Sequence, residues 1–109
     1  MIKTMPDKIK NEVTRYIDFI SSFEEVKKIY LFGSYAYGTP DEGSDIDLLV
    51  TTMDHVNRLK MAGAIRKGLR GRALPLDVIV DWDSAFEADS QRTTLQREVK
   101  TKGVLLYDK

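Results

Sequence analysis

Apolar residues recur along this chain in two rhythms. From Pro6, which suits a first helical turn, Ile9, Val13, Tyr16, Ile17 and Ile20 fall on one face at helical spacing, and the pattern stops near Ser21-Ser22. This predicts an amphipathic packing helix. Val26 to Phe32 holds the β-prone run Ile29-Tyr30-Leu31-Phe32 and stops at Gly33, while Ile46 to Thr51 is a second apolar run bounded by polar residues. Both predict largely buried strands. Val56 to Leu69 returns to helical spacing in a basic setting and closes at Gly71; Pro75 then introduces a third strand, Leu76 to Val80. Asp83-Ser84 can cap a further helical stretch, Thr93 to Lys100 predicts another helix stopped by Gly103, and Val104 to Tyr107 reads as a fourth strand. The alternation predicts an α/β domain built on a sheet of three or four strands flanked by helices.

Length and composition narrow the function. The 109 residues show no repeat, linker or low-complexity tract, so 1–109 is read as one domain without room for a second that would hold an acceptor. No apolar run approaches the roughly 20 residues of a membrane span, and the charged lead MIKTMPDKIK lacks a secretory core, so a cytoplasmic protein is expected. The absence of cysteine excludes disulfides, thiolate metal sites and cysteine nucleophiles. Seventeen basic and seventeen acidic side chains cancel, so no global field draws the chain to nucleic acid or anionic lipid, although local patches remain open.

The chemistry concentrates in LFGSYAYGTPDEGSDIDLLV, where a strand ends in Gly33-Ser34 and Asp45-Ile46-Asp47 opens the next. Side chains alternate along a strand, so Asp45 and Asp47 share one face, roughly 6.6–6.8 Å apart along the backbone, while Ile46 faces the core. Two acids side by side on a strand repel unless a cation lies between them. Asp77 opens the third strand, and a neighbouring position there brings it within reach of the pair. Three carboxylates without cysteine suit Mg²⁺ better than zinc. Glycine lets backbone approach a phosphate, and a short helix beginning at Ser34 would aim its free N–H groups and hydroxyl at an anion. Together these residues read as a metal-and-triphosphate cradle.

Gly33-Ser34, ten residues, then Asp45-Ile46-Asp47 resembles the signature of the polymerase-beta-like nucleotidyltransferase superfamily, with Asp77 in the place of its third acid. The motif's place near residue 30 and the ending Gly103-Val-Leu-Leu-Tyr107 resemble the minimal nucleotidyltransferase group over nearly the whole chain. The resemblance implies a mixed-sheet fold, two Mg²⁺ ions, and transfer of a nucleoside monophosphate, AMP from ATP being the expected case, with release of pyrophosphate. It implies that Asp45 and Asp47 ligate both ions, that Asp77 shares the one near the attacking hydroxyl and can serve as base, and that Gly33 and Ser34 hold the departing phosphates. It also implies a partner: such proteins are often the antitoxin beside a HEPN-domain toxin, which some of them AMPylate. This chain departs at Tyr35 and Tyr37, where many relatives carry arginine at one or both positions, and so leaves open how that phosphate contact is made.

Two rival readings stand beside this one. The chain could be a non-catalytic antitoxin that neutralises a partner by contact; the intact acids oppose that and the missing arginine favours it. A sugar-nucleotide glycosyltransferase with an Asp-x-Asp motif is disfavoured by the short chain and the Gly-Ser spacing. Remaining candidates have plainer roles. Asp81 shares the strand face of Asp77, but strand-end solvation or helix capping is the simpler reading for it and for Asp83. His55 is a lone surface histidine, Trp82 a half-buried anchor, and Arg58, Lys60, Arg66, Lys67, Arg70 and Arg72 form a solvated basic face. Tyr35 and Tyr37 either pack over the sheet edge or contact the nucleotide. Self-association, base preference and the acceptor residue stay open.

Overall fold

The computed structural model describes residues 5–38, 40, 44–92 and 94–109. They form helix α1 (Asp7–Ser21), strand β1 (Val26–Phe32), the single-turn helix α2 (Ser34–Tyr37), strand β2 (Ile46–Thr52), helix α3 (Arg58–Gly68), strand β3 (Leu76–Trp82), helices α4 (Asp83–Asp89) and α5 (Thr94–Lys102), and strand β4 (Val104–Asp108). The charged lead before Met5, most of the polar loop that follows Gly38, and the expected helix start at Thr93 lie outside the described residues. Among the described residues no helix is long and apolar enough to cross a membrane.

The strands make one mixed sheet in the order β3-β2-β1-β4, with β2 and β3 parallel and β1 antiparallel to both of its neighbours. A strand covered on both faces reads as a continuous apolar run rather than an alternation. That is the state of β2, in which every residue but Asp47 is buried. Ile29, Leu31, Ile46, Leu48 and Val78 face α1 and α3, where Val13, Tyr16, Ile20 and Ile65 complete the larger core. Tyr30 and Leu49 project to the opposite face, beneath Phe86 of α4 and Val99 of α5. Full burial of one such side chain stabilises by about 1.5–3 kcal/mol. Gly68 allows α3 to close on α1, because a Cβ there would come within 1.9 Å of the Phe19 ring.

One set of bonds fixes where β2 and β3 begin. Tyr16 is fully buried; its hydroxyl donates to the Leu74 carbonyl at 3.0 Å and accepts from the Leu74 N–H at 3.3 Å. The Glu12 carboxylate takes the Ala73 N–H at 2.7 Å, and the Ile46 N–H donates to the Pro75 carbonyl at 2.9 Å. The chain before β3 is thereby tied to α1 on one side and to the start of β2 on the other.

Two predicted boundaries move for local reasons. Helix α3 begins at Arg58 rather than Val56 because Asn57, in an extended conformation, accepts the Lys60 N–H and caps it. Neither Asp83 nor Ser84 caps α4: Trp82 holds the cap position without a side-chain bond, and Asp83 instead accepts from Thr51 at 2.8 Å.

Candidate active site

Asp45, Asp47 and Asp77 meet where β2 and β3 begin. The parallel register sets Asp47 opposite Asp77, so alternation brings both carboxylates to the same face. Asp45 lies one residue ahead of β2, and Ile46 between the two acids is fully buried. Asp45 and Asp77 are exposed while Asp47 is half-buried. Burial, and after it the charges of Asp77 and Asp45, hold the Asp47 carboxyl above its ordinary range. Among the described residues none of the three forms a salt bridge. Nor does any group of three or more acidic or imidazole side chains among those residues close into a metal cage of its own.

Phe32, the last residue of β1, pairs with Asp47, and the chain then turns at Gly33 into α2. Gly33 is needed there twice over. Its φ of 76° is strained for any side-chain-bearing residue, and a Cβ would lie 2.1 Å from the Asp47 Oδ2. The Gly33 carbonyl accepts from the N–H groups of Ala36 and Tyr37 at 3.0 and 3.1 Å, which closes the single turn. Ser34 heads that turn, and no side chain caps it. The sequence placed these five residues together, and the structure does bring them together.

Tyr35 packs against the larger core, whereas Tyr37 is exposed beside the carboxylates. Burial, and after it the negative charges of Glu98 and Asp47, push the Tyr37 hydroxyl's pKa up, against a lowering by the Gly33 backbone. Glu98 also lines a cavity of ≈ 540 Å³ along α5, with Leu95, Arg97, Thr101 and Lys102. Sequence reasoning did not connect Glu98 to the motif. The only local signal was an aromatic residue four positions after the glycine that starts a helical turn.

Asp81 differs from its expected role. It is neither solvated nor a helix cap: it is 6% exposed, accepts the Trp82 N–H at 2.9 Å and pairs with Arg58 at 3.5 Å. Arg58 also stacks over the Trp82 ring, 4.4 Å from its centroid, and the indole N–H donates to the Val56 carbonyl at 2.8 Å, so Trp82 is the anchor the sequence suggested. Arg66 reaches the Val78 carbonyl and Arg72 the Leu69 carbonyl, so with Arg58 three residues of the expected solvated basic face are engaged in structure. His55 sits in an exposed turn at φ 70°.

Known proteins resemble this chain in sequence and in fold. The model of the nucleotidyltransferase domain family matches residues 13–106. Protein adenylyltransferase MntA of Shewanella oneidensis is 37% identical over 87 residues, which is 76% of this chain and 55% of that protein, so the chain spans about half the length of this curated relative. A crystal structure of a putative nucleotidyltransferase from Sulfolobus solfataricus superposes with a TM-score of 0.61 at 20% identity, covering 100% of this chain and 94% of the other. A toxin-antitoxin complex with AMP-PNP superposes at 0.55 and 24% identity, covering 92% and 73%. The two superpositions show a fold shared with these solved structures.

Proposed function

This chain belongs to the nucleotidyltransferase domain family, and from that premise we propose that it transfers AMP from ATP to a hydroxyl of a separate macromolecule. The observation that carries the reading is the face-to-face pair Asp47 and Asp77, joined by Asp45 and in no salt bridge among the described residues. The donor set fits a hard divalent ion: three carboxylates, no thiolate, and crowding that a cation would relieve. Mg²⁺ takes a few carboxylates and completes its shell with phosphate oxygens and water, which agrees with a set that forms no closed cage alone. Asp45, Asp47 and Asp77 would hold two such ions. Bound there, they supply neutralisation of the charge on the attacking and leaving oxygens of an in-line displacement.

The chain's own groups do the rest by position. The backbone of Gly33 and the first turn at Ser34 receive the phosphates that leave. Asp77 is exposed on an edge strand, where an acceptor hydroxyl can reach it from solvent and give up its proton to the carboxylate. AMP as the group transferred is supported by the identity to a protein adenylyltransferase. A HEPN-domain toxin as acceptor is supported by the resemblance of the Gly33-Ser34 and Asp45-Ile46-Asp47 motif to that of the minimal nucleotidyltransferases. The single-domain reading of 1–109 belongs to this proposal too, since the acceptor must then come from outside.

The test is incubation with ATP labelled at the α-phosphate, Mg²⁺ and a candidate HEPN-domain partner. Label should pass to the partner with wild type and not with Asp47→Asn. A partner neutralised equally well by that variant, with no label in either case, would reduce the function to binding.

A further inference from the structure

We propose that Tyr16 and Glu12 of α1 are positioning residues for the acid centre: through their bonds to Leu74 and Ala73 they hold Asp77 where it can share a divalent ion with Asp45 and Asp47. The inference deepens the nucleotidyl-transfer reading and rests on it.

The need for such a hold arises from the topology. Asp77 is the second residue of β3, an edge strand that pairs with β2 alone among the described residues. A strand end supported on one side opens locally with ease. Nor does a hairpin fix it, because β3 is parallel to β2 and is entered from α3 through the segment 69–75. Whatever holds that segment sets where the Asp77 carboxylate lies.

Three consecutive residues of the segment are held from outside it. The Glu12 carboxylate accepts the Ala73 N–H at 2.7 Å, the Tyr16 hydroxyl bonds both the carbonyl and the N–H of Leu74 at 3.0 and 3.3 Å, and the Pro75 carbonyl takes the Ile46 N–H at 2.9 Å. Glu12 and Tyr16 stand four residues apart, hence on one face of α1. Arg15 takes the other Glu12 oxygen at 2.6 Å and so aims the carboxylate. Packing does not explain the Tyr16 hydroxyl. The residue is 0% exposed among Val13, Ile20 and other apolar side chains, a place phenylalanine would fill. A buried phenol requires partners for its oxygen and its proton, and Leu74 supplies both. Two polar side chains of α1 thus converge on the segment that leads, within three residues, to the third acid.

A reacting group misplaced by about 1 Å can lose about a hundredfold in rate, so a small loosening at Leu74 would be felt. Tyr16→Phe leaves the Ile46–Pro75 bond in place, so strand alignment survives while Asp77 loses its fixed position.

The experiment titrates Mn²⁺ into the full chain with a non-hydrolysable ATP analogue, counting bound ions by electron paramagnetic resonance, beside AMP transfer and melting temperature. Tyr16→Phe should weaken one of the two ions by about tenfold or more and lower kcat with KM for ATP unchanged. Glu12→Ala should do the same to a smaller extent, which keeps the test open where Tyr16→Phe fails to fold, and Glu12→Gln, still an acceptor for the Ala73 N–H, should restore wild-type binding. Phe86→Leu, a change in the smaller core, should lower the melting temperature and bind both ions as wild type does. On an Asp77→Asn background Tyr16→Phe should cause no further loss, because it acts through the acid already removed. Wild-type ion binding in both Tyr16→Phe and Glu12→Ala overturns the proposal, and so does a Tyr16→Phe loss that adds in full to that of Asp77→Asn. If Asp77→Asn loses an ion and the α1 variants do not, this inference falls while the transfer reading stands. If Asp77→Asn binds ions as wild type does, both fall.

Discussion

Where β2 and β3 finish, acids meet cations; where the same strands begin, no such pairing occurs among the described residues. At the finishing end Asp81 pairs with Arg58, Asp83 lies 3.7 Å from Lys28, and Glu87 takes Lys28 at 3.1 Å and Lys100 beside it. The hydrogen bond from Lys100 is the main reason the Glu87 carboxyl sits below its ordinary range. At the starting end Asp47 sits above its range, and no salt bridge relieves it among the described residues. The two ends share strands, so backbone environment does not separate them. Among the described residues, then, this fold places lysine and arginine beside the acids at one end of these strands and beside none of the three acids at the other. Acids without a resident partner are what a centre needs if its cations arrive with the substrate.

The sharpest break of that contrast is Asp47→Asn, which should lower AMP transfer on the order of a thousandfold, as loss of a principal charge-stabilising contact does. The metal-free variant should melt at or above wild type, since it removes one of three like charges. A transfer assay beside a calorimetric scan checks both, and activity within tenfold of wild type would dissociate the acid cluster from the chemistry. Next in size is the ligand effect. Mg²⁺ with a non-hydrolysable ATP analogue at 100 Kd should stabilise wild type by about 2.7 kcal/mol, or roughly 4–8 °C per kcal/mol for a domain of this size. Asp45→Asn/Asp47→Asn should lose most of that rise; an equal rise in both proteins places the nucleotide elsewhere.

The other end should answer in the opposite way. Lys28→Met should destabilise by on the order of 1 kcal/mol, given that its partners are partly exposed, and leave transfer unaltered. Denaturant midpoints and the same assay decide this. The smallest effect is in pH. The raised Asp47 binds its proton more tightly folded than unfolded, so in EDTA its contribution to stability falls as pH rises from about 3.9 through the folded value. The lowered Glu87 does the reverse: its contribution is present above about 4.3 and is lost as pH falls through the folded value. Asp47→Asn and Glu87→Gln should each remove one of these opposed slopes from a stability profile taken between pH 3 and 7, and slopes of the same sign would end the comparison.

Much of this was legible in the chain. Strands β1 and β2 announce themselves as apolar runs because both are covered on two faces, and Asp45, Asp47, Gly33 and Ser34 lie within fifteen residues of one another. Asp77 followed only if β3 lay beside β2, which the order β3-β2-β1-β4 satisfies. What stayed hidden were pairings across elements. Asp81 looks like a strand-end acid until α3 brings Arg58 over it, 23 residues away in sequence, and the charge that faces Tyr37 belongs to Glu98, 61 residues on. Such contacts depend on how helices pack on the sheet, which the period of apolar residues leaves undetermined.

The bonds from Tyr16 to Leu74 and from Ile46 to Pro75 have a consequence for how this centre can change over time. They set the alignment of two parallel strands, and such strands slip only by whole residues. One step would put Leu76 or Val78 where Asp77 now stands and send the third carboxylate to the opposite face. The spacing between the acids therefore admits no intermediate settings. A change that breaks those bonds acts on the centre as a switch, whereas a substitution of the acids themselves acts as a dial.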